Sequence, residues 1–141
     1  MDLLTIVKIV ENTLGEIRPD IVYTHHGGDL NVDHGVAHAD VLTACRQVPG
    51  ATVASIYAFE TMSSTEWGSL GQQVPFRPSH FVGIQEYLPA KLEPLKCCEM
   101  EMRPFLHARS QEAIEANARA RGAEVGLVAA EAFSLIRQVR A

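Results

Sequence analysis

The segment from residue 19 to residue 33 constrains the fold of this chain more than any other. It opens with Pro19-Asp20 and continues with Ile21-Val22-Tyr23-Thr24, a short β-branched and aromatic run typical of a strand buried on both faces. Residues 25 to 33 are polar, contain glycine and follow neither the helical nor the strand period, so they predict a loop. Open α/β sheets place their functional sites in such loops, at the carboxyl ends of their strands.

Helical and strand patterns alternate on both sides of this segment. Apolar spacing predicts helices over residues 3 to 16, 34 to 45, 85 to 102 and 110 to 121. Further strands are expected over residues 52 to 59, 80 to 84 and 132 to 139, and a long surface loop over residues 61 to 78. The alternation indicates an α/β fold that is Rossmann-like, with three α/β/α layers and a mostly parallel sheet.

Charge and composition exclude several classes of partner. The net charge is −5 and no cluster of Lys and Arg occurs, so neither nucleic acid nor an anionic membrane surface is expected as a partner. No apolar run approaches the roughly 20 residues needed to span a bilayer, and residues 1 to 4 lack the features of a signal peptide. We therefore expect a cytoplasmic protein. Its cysteines, Cys45, Cys97 and Cys98, lack C-x-x-C spacing and are interpreted as reduced thiols.

Imidazole and carboxylate groups are concentrated in the predicted loop. His25, His26, Asp29, Asp33 and His34 fall within ten residues. Neutral imidazole and carboxylate are the usual nitrogen and oxygen ligands of Zn²⁺, so the cluster predicts a site for zinc or another divalent metal. A solvated loop whose histidines cap strand and helix ends would give the same composition. The residues alone leave both interpretations open.

A metalloprotease site is a rival interpretation of part of this cluster. His34 and His38 are four residues apart on a predicted helix, as in the H-E-x-x-H motif. Position 35 is Gly, however, so the general base of that motif is missing. His38 is therefore expected to be a partly exposed helix residue.

Residues 19 to 34 resemble a known sequence block. Pro19-Asp20-Ile21-Val22-Tyr23-Thr24-His25-His26, followed by Gly28-Asp29-Leu30-Asn31-Val32-Asp33-His34, is similar to the second block of the PIG-L/LmbE-like zinc-dependent N-deacetylases. In that block a strand ends in Thr-His and a loop ends in Asp-His. The family's later markers are matched in the same order by Phe59-Glu60, Ser63-Ser64-Thr65-Glu66-Trp67, Arg109-Ser110, Arg119-Ala120-Arg121-Gly122 and Ala130-Glu131-Ala132-Phe133.

The resemblance implies hydrolysis of an N-acetyl group from an N-acetylglucosamine-like sugar or conjugate by a zinc-bound water. His34 matches the third metal ligand, and Asp33 matches an acidic residue that supports the site, for example by orienting an imidazole. Many members carry His where this chain has Asn31, which can donate a hydrogen bond to an oxyanion but cannot deliver a proton. His25 or His26 would then supply the acid function.

Substrate contacts are expected from residues outside the Asp-His pair. Asp29, Trp67 and Arg109 are the candidates. The aromatic face of Trp67 suits the C–H side of a pyranose, although a buried Trp that anchors its loop is an equal alternative. Arg109 lies in a segment matched to the family, and a surface ion pair is its competing interpretation.

The family's first block, Ala-His-Pro-Asp-Asp-Glu, has no counterpart in this sequence. By the resemblance, residues 1 to 141 form a single partial domain, the C-terminal part of the family fold. One histidine cannot hold zinc in a closed site, so we expect weak metal binding and poor catalysis by the chain alone. Expected partners are the missing N-terminal half or a second copy of the chain, paired along an apolar sheet edge. The alternative is a catalytically incomplete fragment that serves as a binding or oligomerisation module.

Overall fold

The computed structural model describes residues 3 to 68, 74 to 98 and 100 to 140. Its helices are α1 (Leu3–Ile17), α2 (Val32–Ala44), α3 (Thr65–Gly68), α4 (Leu88–Leu92) and α5 (Gln111–Ala123). Its strands are β1 (Ile21–His25), β2 (Ser55–Phe59), β3 (His80–Gly83) and β4 (Ala130–Gln138). Short 3₁₀ turns cover Gln85–Tyr87 and Pro94–Cys97. The predicted α/β class is confirmed.

The strands form one sheet in the order β1-β2-β4-β3. Strands β1 and β2 are parallel, with Ile21 opposite Ser55 and His25 opposite Phe59. Strands β3 and β4 are antiparallel, with His80 opposite Phe133. The expected parallel pairing is therefore found at the β1 edge, and the other end of the sheet is antiparallel.

The chain divides into two compact units, Met1–Arg77 with Ser134–Ala141 and Pro78–Phe133, which we call unit 1 and unit 2. In unit 1 the buried residues Cys45, Val53 and Ile56 form a core against which apolar side chains of α1, α2, β1 and β4 pack. In unit 2 the core consists of Ile84, Leu88, Ala118 and Ala129, with Leu92 against it. Each unit thus has its own apolar centre, as burial of one face of each element requires.

The start of α2 is set by a side-chain cap. Asn31 has extended backbone geometry, and its Oδ1 accepts the N–H of Asp33 at 3.0 Å, which satisfies one of the free donors of the first turn. The helix consequently begins two residues before the predicted position. Ser110 caps α5 in the same way, its Oγ accepting the N–H of Ala113 at 3.1 Å.

The helix predicted over residues 85 to 102 is interrupted. Pro89 and Pro94 each lack the N–H that a continuous helix needs, and each stands at the start of a new short element, α4 or the Pro94–Cys97 turn. The apolar spacing is helical, but the prolines divide residues 85 to 97 into short elements. Residue 99 of the predicted helix lies outside the part of the chain that the structure describes.

The predicted loop over residues 61 to 78 contains the short helix α3, and its residues 69 to 73 lie outside the part of the chain that the structure describes. None of the helices within the described ranges has the length and apolar character needed to cross a membrane.

Candidate functional site

The carboxylate of Asp29 is the centre of the polar cluster. Its side chain is 0% exposed. Oδ1 accepts the hydroxyl of Ser64 and, at 2.9 Å, the backbone N–H of Asn31, while Oδ2 accepts the hydroxyl of Thr65 at 2.8 Å. These bonds tie the loop after β1 to the segment after β2.

The segment after β2 is folded so that its hydroxyls reach Asp29. Glu66 accepts the N–H groups of Ser63 and Ser64 at 2.6 and 3.2 Å, which closes the first turn of α3. The hydroxyl of Thr65 accepts the N–H of Thr61 at 2.8 Å while it donates to Asp29. Its proton is therefore committed to the carboxylate.

His34 places its imidazole against the same carboxylate. Its Nδ1 lies 3.2 Å from Oδ1 of Asp29, and its side chain is 17% exposed. This Nδ1 has no directed hydrogen-bond partner, so the contact with Asp29 is electrostatic and depends on distance rather than alignment. Nε2, on the other side of the ring, receives no hydrogen bond from the residues that the structure describes, and so remains available to a ligand.

Asp33 lies differently from Asp29. It is exposed in the first turn of α2, and its N–H is bonded to Asn31. Within the described ranges, the carboxylate that faces the ring of His34 is that of Asp29, a residue for which the sequence suggested a substrate contact.

Hydrogen bonding sets the charge of Asp29. Burial by itself raises the pKa of this carboxyl, but the hydrogen bonds from Ser64, Asn31 and Thr65, together with the contact of His34, outweigh burial and hold the pKa below its ordinary value. Asp29 is consequently an anion at neutral pH, and its charge favours a cation nearby.

His25 stacks on His34. The ring centroids are 4.2 Å apart with planes at 20°, and the ring of Phe59 is tilted against His25 with a centroid separation of 4.7 Å. Burial and then the neighbouring charge of His34 lower the pKa of His25, against the opposing effect of Asp29. His25 is therefore a neutral imidazole at neutral pH, able to accept a proton.

His26 and His38 are held by backbone carbonyls. Nε2 of His26 donates to the carbonyl of Val74 at 2.8 Å, and Nδ1 of His38 donates to the carbonyl of His25 at 2.8 Å. His38 is half-buried, as expected. His26 is buried, and its ring meets the edge of Phe76 at 5.4 Å. His25, the last residue of β1, stacks on His34, whereas the recorded ring contact of His26 is with Phe76.

A mostly apolar cavity of about 500 Å³ opens beside these histidines in unit 1. It is lined by His26, Gly27, Gly28, His38, Ala58, Val74, Pro75, Arg77, Ser134 and Ile136. Gly28 is required at its wall, because a Cβ there would lie 2.1 Å from the carbonyl oxygen of Val74. The glycines of the loop thus let two backbone segments approach each other.

The remaining predicted site residues have contacts of other kinds. Trp67 is 45% exposed on α3, so it does not anchor its loop from a buried position. Arg109, in unit 2, forms an ion pair with Glu101, and its N–H donates to Nδ1 of His107 at 3.0 Å. Asn31 is a helix cap. Ser64 and Thr65 were not predicted to be partners of Asp29. The only signal for them in the sequence was that their segment resembles one of the deacetylase family's later markers.

His34 is a lone candidate ligand. Within residues 3 to 68, 74 to 98 and 100 to 140, no three His, Cys, Asp or Glu side chains are grouped so as to hold a metal ion. The residues present can supply one ligand of a zinc site, the imidazole of His34, which has the carboxylate of Asp29 against its other nitrogen. Further ligands would have to come from outside the described residues.

No family model and no curated protein matches the sequence. The fold is similar to GalB, the 4-carboxy-2-hydroxymuconate hydratase from Pseudomonas putida KT2440, with a TM-score of 0.73 and 19% identity over 100% of this chain and 61% of that one. It is also similar to the conserved protein TT1542 from Thermus thermophilus, with a TM-score of 0.72 and 20% identity over 96% of this chain and 60% of that one. At these identities the likeness shows the fold alone. The chain spans about three fifths of the length of both structures.

Proposed function

We propose that this chain supplies part of the active site of a zinc-dependent hydrolase that removes an acetyl group from an N-acetylated amino sugar or its conjugate. The observation that carries the proposal is the position of His34, whose imidazole lies against the buried carboxylate of Asp29. Histidines that ligate metals usually turn their other ring nitrogen toward a carboxylate, carbonyl or water, which fixes the ring and raises its basicity. The resemblance of residues 19 to 34 to the deacetylases supports the same assignment.

In this proposal His34 would hold the zinc through Nε2. Bound zinc polarises the amide carbonyl and lowers the pKa of its water. Asp29 places its negative charge against the ring of His34, and the hydroxyls of Ser64 and Thr65 keep Asp29 in place. Asp33, exposed at the start of α2, contributes negative charge near the site rather than orienting His34.

Proton handling and oxyanion binding are assigned to the neighbouring side chains. His25 is neutral and stacked on His34, so it can accept a proton near the reacting centre and return it to the departing amine. Asn31 uses its oxygen to cap α2, which leaves its NH₂ group as a donor to the oxyanion. The apolar cavity beside His26 and His38 suits the acyl group and the C–H face of a sugar.

The remaining ligands are proposed to come from a segment that pairs with β1. This strand lies at the edge of the sheet, and Ile21 and Tyr23 on it are 43% and 47% exposed. A parallel strand normally has neighbours and covered faces, so an exposed edge of this kind favours pairing. The uncovered two fifths of the similar structures provide ample length for such a segment. A second copy of this chain is the other possible occupant.

The same exposed edge favours a second candidate function, a non-catalytic module that binds a partner through β1. This function needs neither zinc nor His34. Metal binding therefore distinguishes the hydrolase from the non-catalytic module.

Zinc titration tests the proposal. In a Cys97→Ser, Cys98→Ser background, which removes exposed thiols, calorimetry is expected to show weak binding of one Zn²⁺ per chain. His34→Ala should abolish the binding, Asp29→Asn should weaken it, and the control His107→Gln in unit 2 should leave it unchanged. Unaltered zinc binding in His34→Ala would overturn the ligand assignment.

An activity assay follows from the titration. The zinc-loaded chain is expected to release free amine from N-acetylglucosamine at a low rate. In His34→Ala this rate should fall to that of zinc without protein. Hydration of 4-carboxy-2-hydroxymuconate, measured in parallel, is expected to stay at the blank. Zinc bound through His34 with hydration activity but no amine release would replace the deacetylase proposal with a hydratase, and the absence of both zinc binding and amine release would favour the non-catalytic module.

A further inference from the structure

The cavity beside His26 and His38 is larger than an acetyl group requires. Its volume is about 500 Å³, and all the residues that line it belong to unit 1. Pockets that enclose drug-sized ligands measure roughly 300 to 1,000 Å³. An acetyl group, which consists of one methyl and one carbonyl, occupies a small part of such a volume. A bound substrate can therefore place a further group here.

Most of the cavity wall has no free hydrogen-bond donor to offer a ligand. Apolar side chains on the wall come from Ala58, Val74, Pro75 and Ile136. The hydroxyl of Ser134 donates to the carbonyl of Arg77 at 2.8 Å, and Nε2 of His26 donates to the carbonyl of Val74 at 2.8 Å. Since these protons are already committed, the wall favours an apolar group.

His38 provides a hydrogen-bond acceptor on this wall. Its Nδ1 donates to the carbonyl of His25 at 2.8 Å, so the neutral ring carries its free lone pair on Nε2. No hydrogen bond reaches this Nε2 from the residues that the structure describes. His38 is half-buried and lines the cavity, whereas His26 is only 8% exposed. Nε2 of His38 is therefore available to a donor on a ligand.

The ring of His38 is held in place from two sides. One constraint is the bond from Nδ1 to the carbonyl of His25. The other is Gly27, where a Cβ would lie 2.7 Å from Cδ2 and 2.8 Å from Nε2 of His38. The ring edge thus packs against a backbone that has no side chain. An acceptor fixed in this way loses little conformational freedom when a ligand binds.

We propose that the cavity takes an apolar, ring-sized group that carries one hydroxyl or N–H donor, and that Nε2 of His38 accepts this donor. In the deacetylase this group belongs to the conjugate attached to the amino sugar, and that assignment rests on the proposed function. A site built to bond a donor discriminates against an analogue that lacks it, because the acceptor is then left unpaired. His38 is accordingly a residue that determines specificity.

NMR titration of the metal-free chain with phenol and with its methyl ether, anisole, tests the proposal. Both probes have an apolar ring, but only phenol has a donor. The wild type is expected to bind phenol about three- to tenfold more tightly than anisole, as the net gain from one hydrogen bond implies. His38→Leu keeps apolar bulk and removes the acceptor, so the two probes should bind equally. The control His107→Gln, in unit 2, should keep the wild-type ratio.

The ratio of the two affinities separates recognition from structure. A distorted cavity would weaken both probes alike, whereas loss of the acceptor weakens phenol alone. The imidazole ¹⁵N signals of the wild type give a second measurement that needs no substitution. Phenol should move the Nε2 signal of His38, and anisole should leave it in place. Gly27→Ala, which displaces the ring, should reduce the preference for phenol.

Several results would overturn the inference. An unchanged phenol preference in His38→Leu, or an Nε2 signal that phenol does not move, would remove His38 as the acceptor. Tighter binding of benzoate than of phenol would show that the cavity selects an anion through Arg77 on its wall. These titrations contain no zinc, so failure of the zinc and amine assays would leave a phenol site standing. Loss of the phenol preference would likewise leave the assignment of His34 untouched.

Discussion

Two regions carry metal-ligating atoms, and they differ in burial. The loop from His25 to His34 buries a carboxylate that accepts three donors, two of them hydroxyls from a distant segment. In unit 2, Cys97 and Cys98 are both exposed. A buried polar group must find partners or lose its hydration without compensation, so burial fixes geometry before any ligand arrives. An exposed group keeps its hydration and needs no such network; the thiol of Cys98 donates only a long bond, at 4.0 Å, to the carbonyl of Pro94.

The largest expected effect comes from removing the centre of the buried network. Asp29→Ala leaves the hydroxyls of Ser64 and Thr65 and the N–H of Asn31 without their acceptor. We expect a loss of about 2 to 4 kcal/mol in the free energy of unfolding, measured by urea denaturation. The exposed Asp33→Ala is the matched control, with a change within about 0.5 kcal/mol. Equal effects of the two substitutions would show that burial does not distinguish these carboxylates.

The next effect concerns the close approach of backbone segments at the loop. A Cβ at Gly28 would lie 2.1 Å from the carbonyl oxygen of Val74, so Gly28→Ala is expected to destabilise the fold by about 1 to 3 kcal/mol. Gly35, inside α2, has nothing within 4 Å of an added Cβ. Gly35→Ala should stabilise the chain by about 0.5 to 1 kcal/mol, since Ala favours helix. Thermal unfolding should show a lower midpoint than the wild type for Gly28→Ala and a higher one for Gly35→Ala. Shifts in the same direction would contradict the close packing at Gly28.

A smaller effect separates the cysteines. Cys45→Ser puts a hydroxyl into the core of unit 1 and should cost about 1 to 2 kcal/mol in urea unfolding. Cys97→Ser with Cys98→Ser should change stability by less than about 0.5 kcal/mol, because both side chains are exposed. A destabilised double variant would show that these thiols support the fold of unit 2 although they are exposed.

The smallest expected effect is a difference in acid sensitivity. The pKa of Asp29 is lower in the folded chain than its ordinary value of 3.8, so its stabilisation is present above that value and is lost as the pH falls through the folded-state pKa. Without metal, the stability of the wild type should therefore fall more steeply on acidification than that of Asp29→Asn. Urea unfolding between neutral pH and acid measures the two slopes, and parallel slopes would show that the carboxylate is not stabilised as an anion.

Elements with a strong local pattern could be predicted from the sequence. The spacing of apolar residues gave α1, β1 and β2 to within a few residues, and the Ser110 cap gave the start of α5. The segment from 85 to 102 could not be predicted in the same way, because periodicity reports which face is apolar but does not weigh the N–H groups missing at Pro89 and Pro94.

The candidate site, too, could be predicted only in part from the sequence. The concentration of imidazoles and carboxylates predicted a metal-type cluster at the end of β1, and the resemblance to the deacetylases singled out His34 within it. It assigned the orienting role to Asp33, the immediate neighbour of His34. Adjacent residues at the start of a helix point in different directions, so chain proximity did not reveal which carboxylate faces the ring.

By itself, then, the sequence determined the α/β class and the position of the polar loop, since these follow from local composition and period. That His34 is a metal ligand stays a prediction. Only the tertiary structure decided that Asp29 is buried behind His34 and that Ser64 and Thr65 hold it. Those contacts join residues about 35 positions apart, and they are set by the pairing of β1 with β2, which brings the ends of two strands to one edge of the sheet.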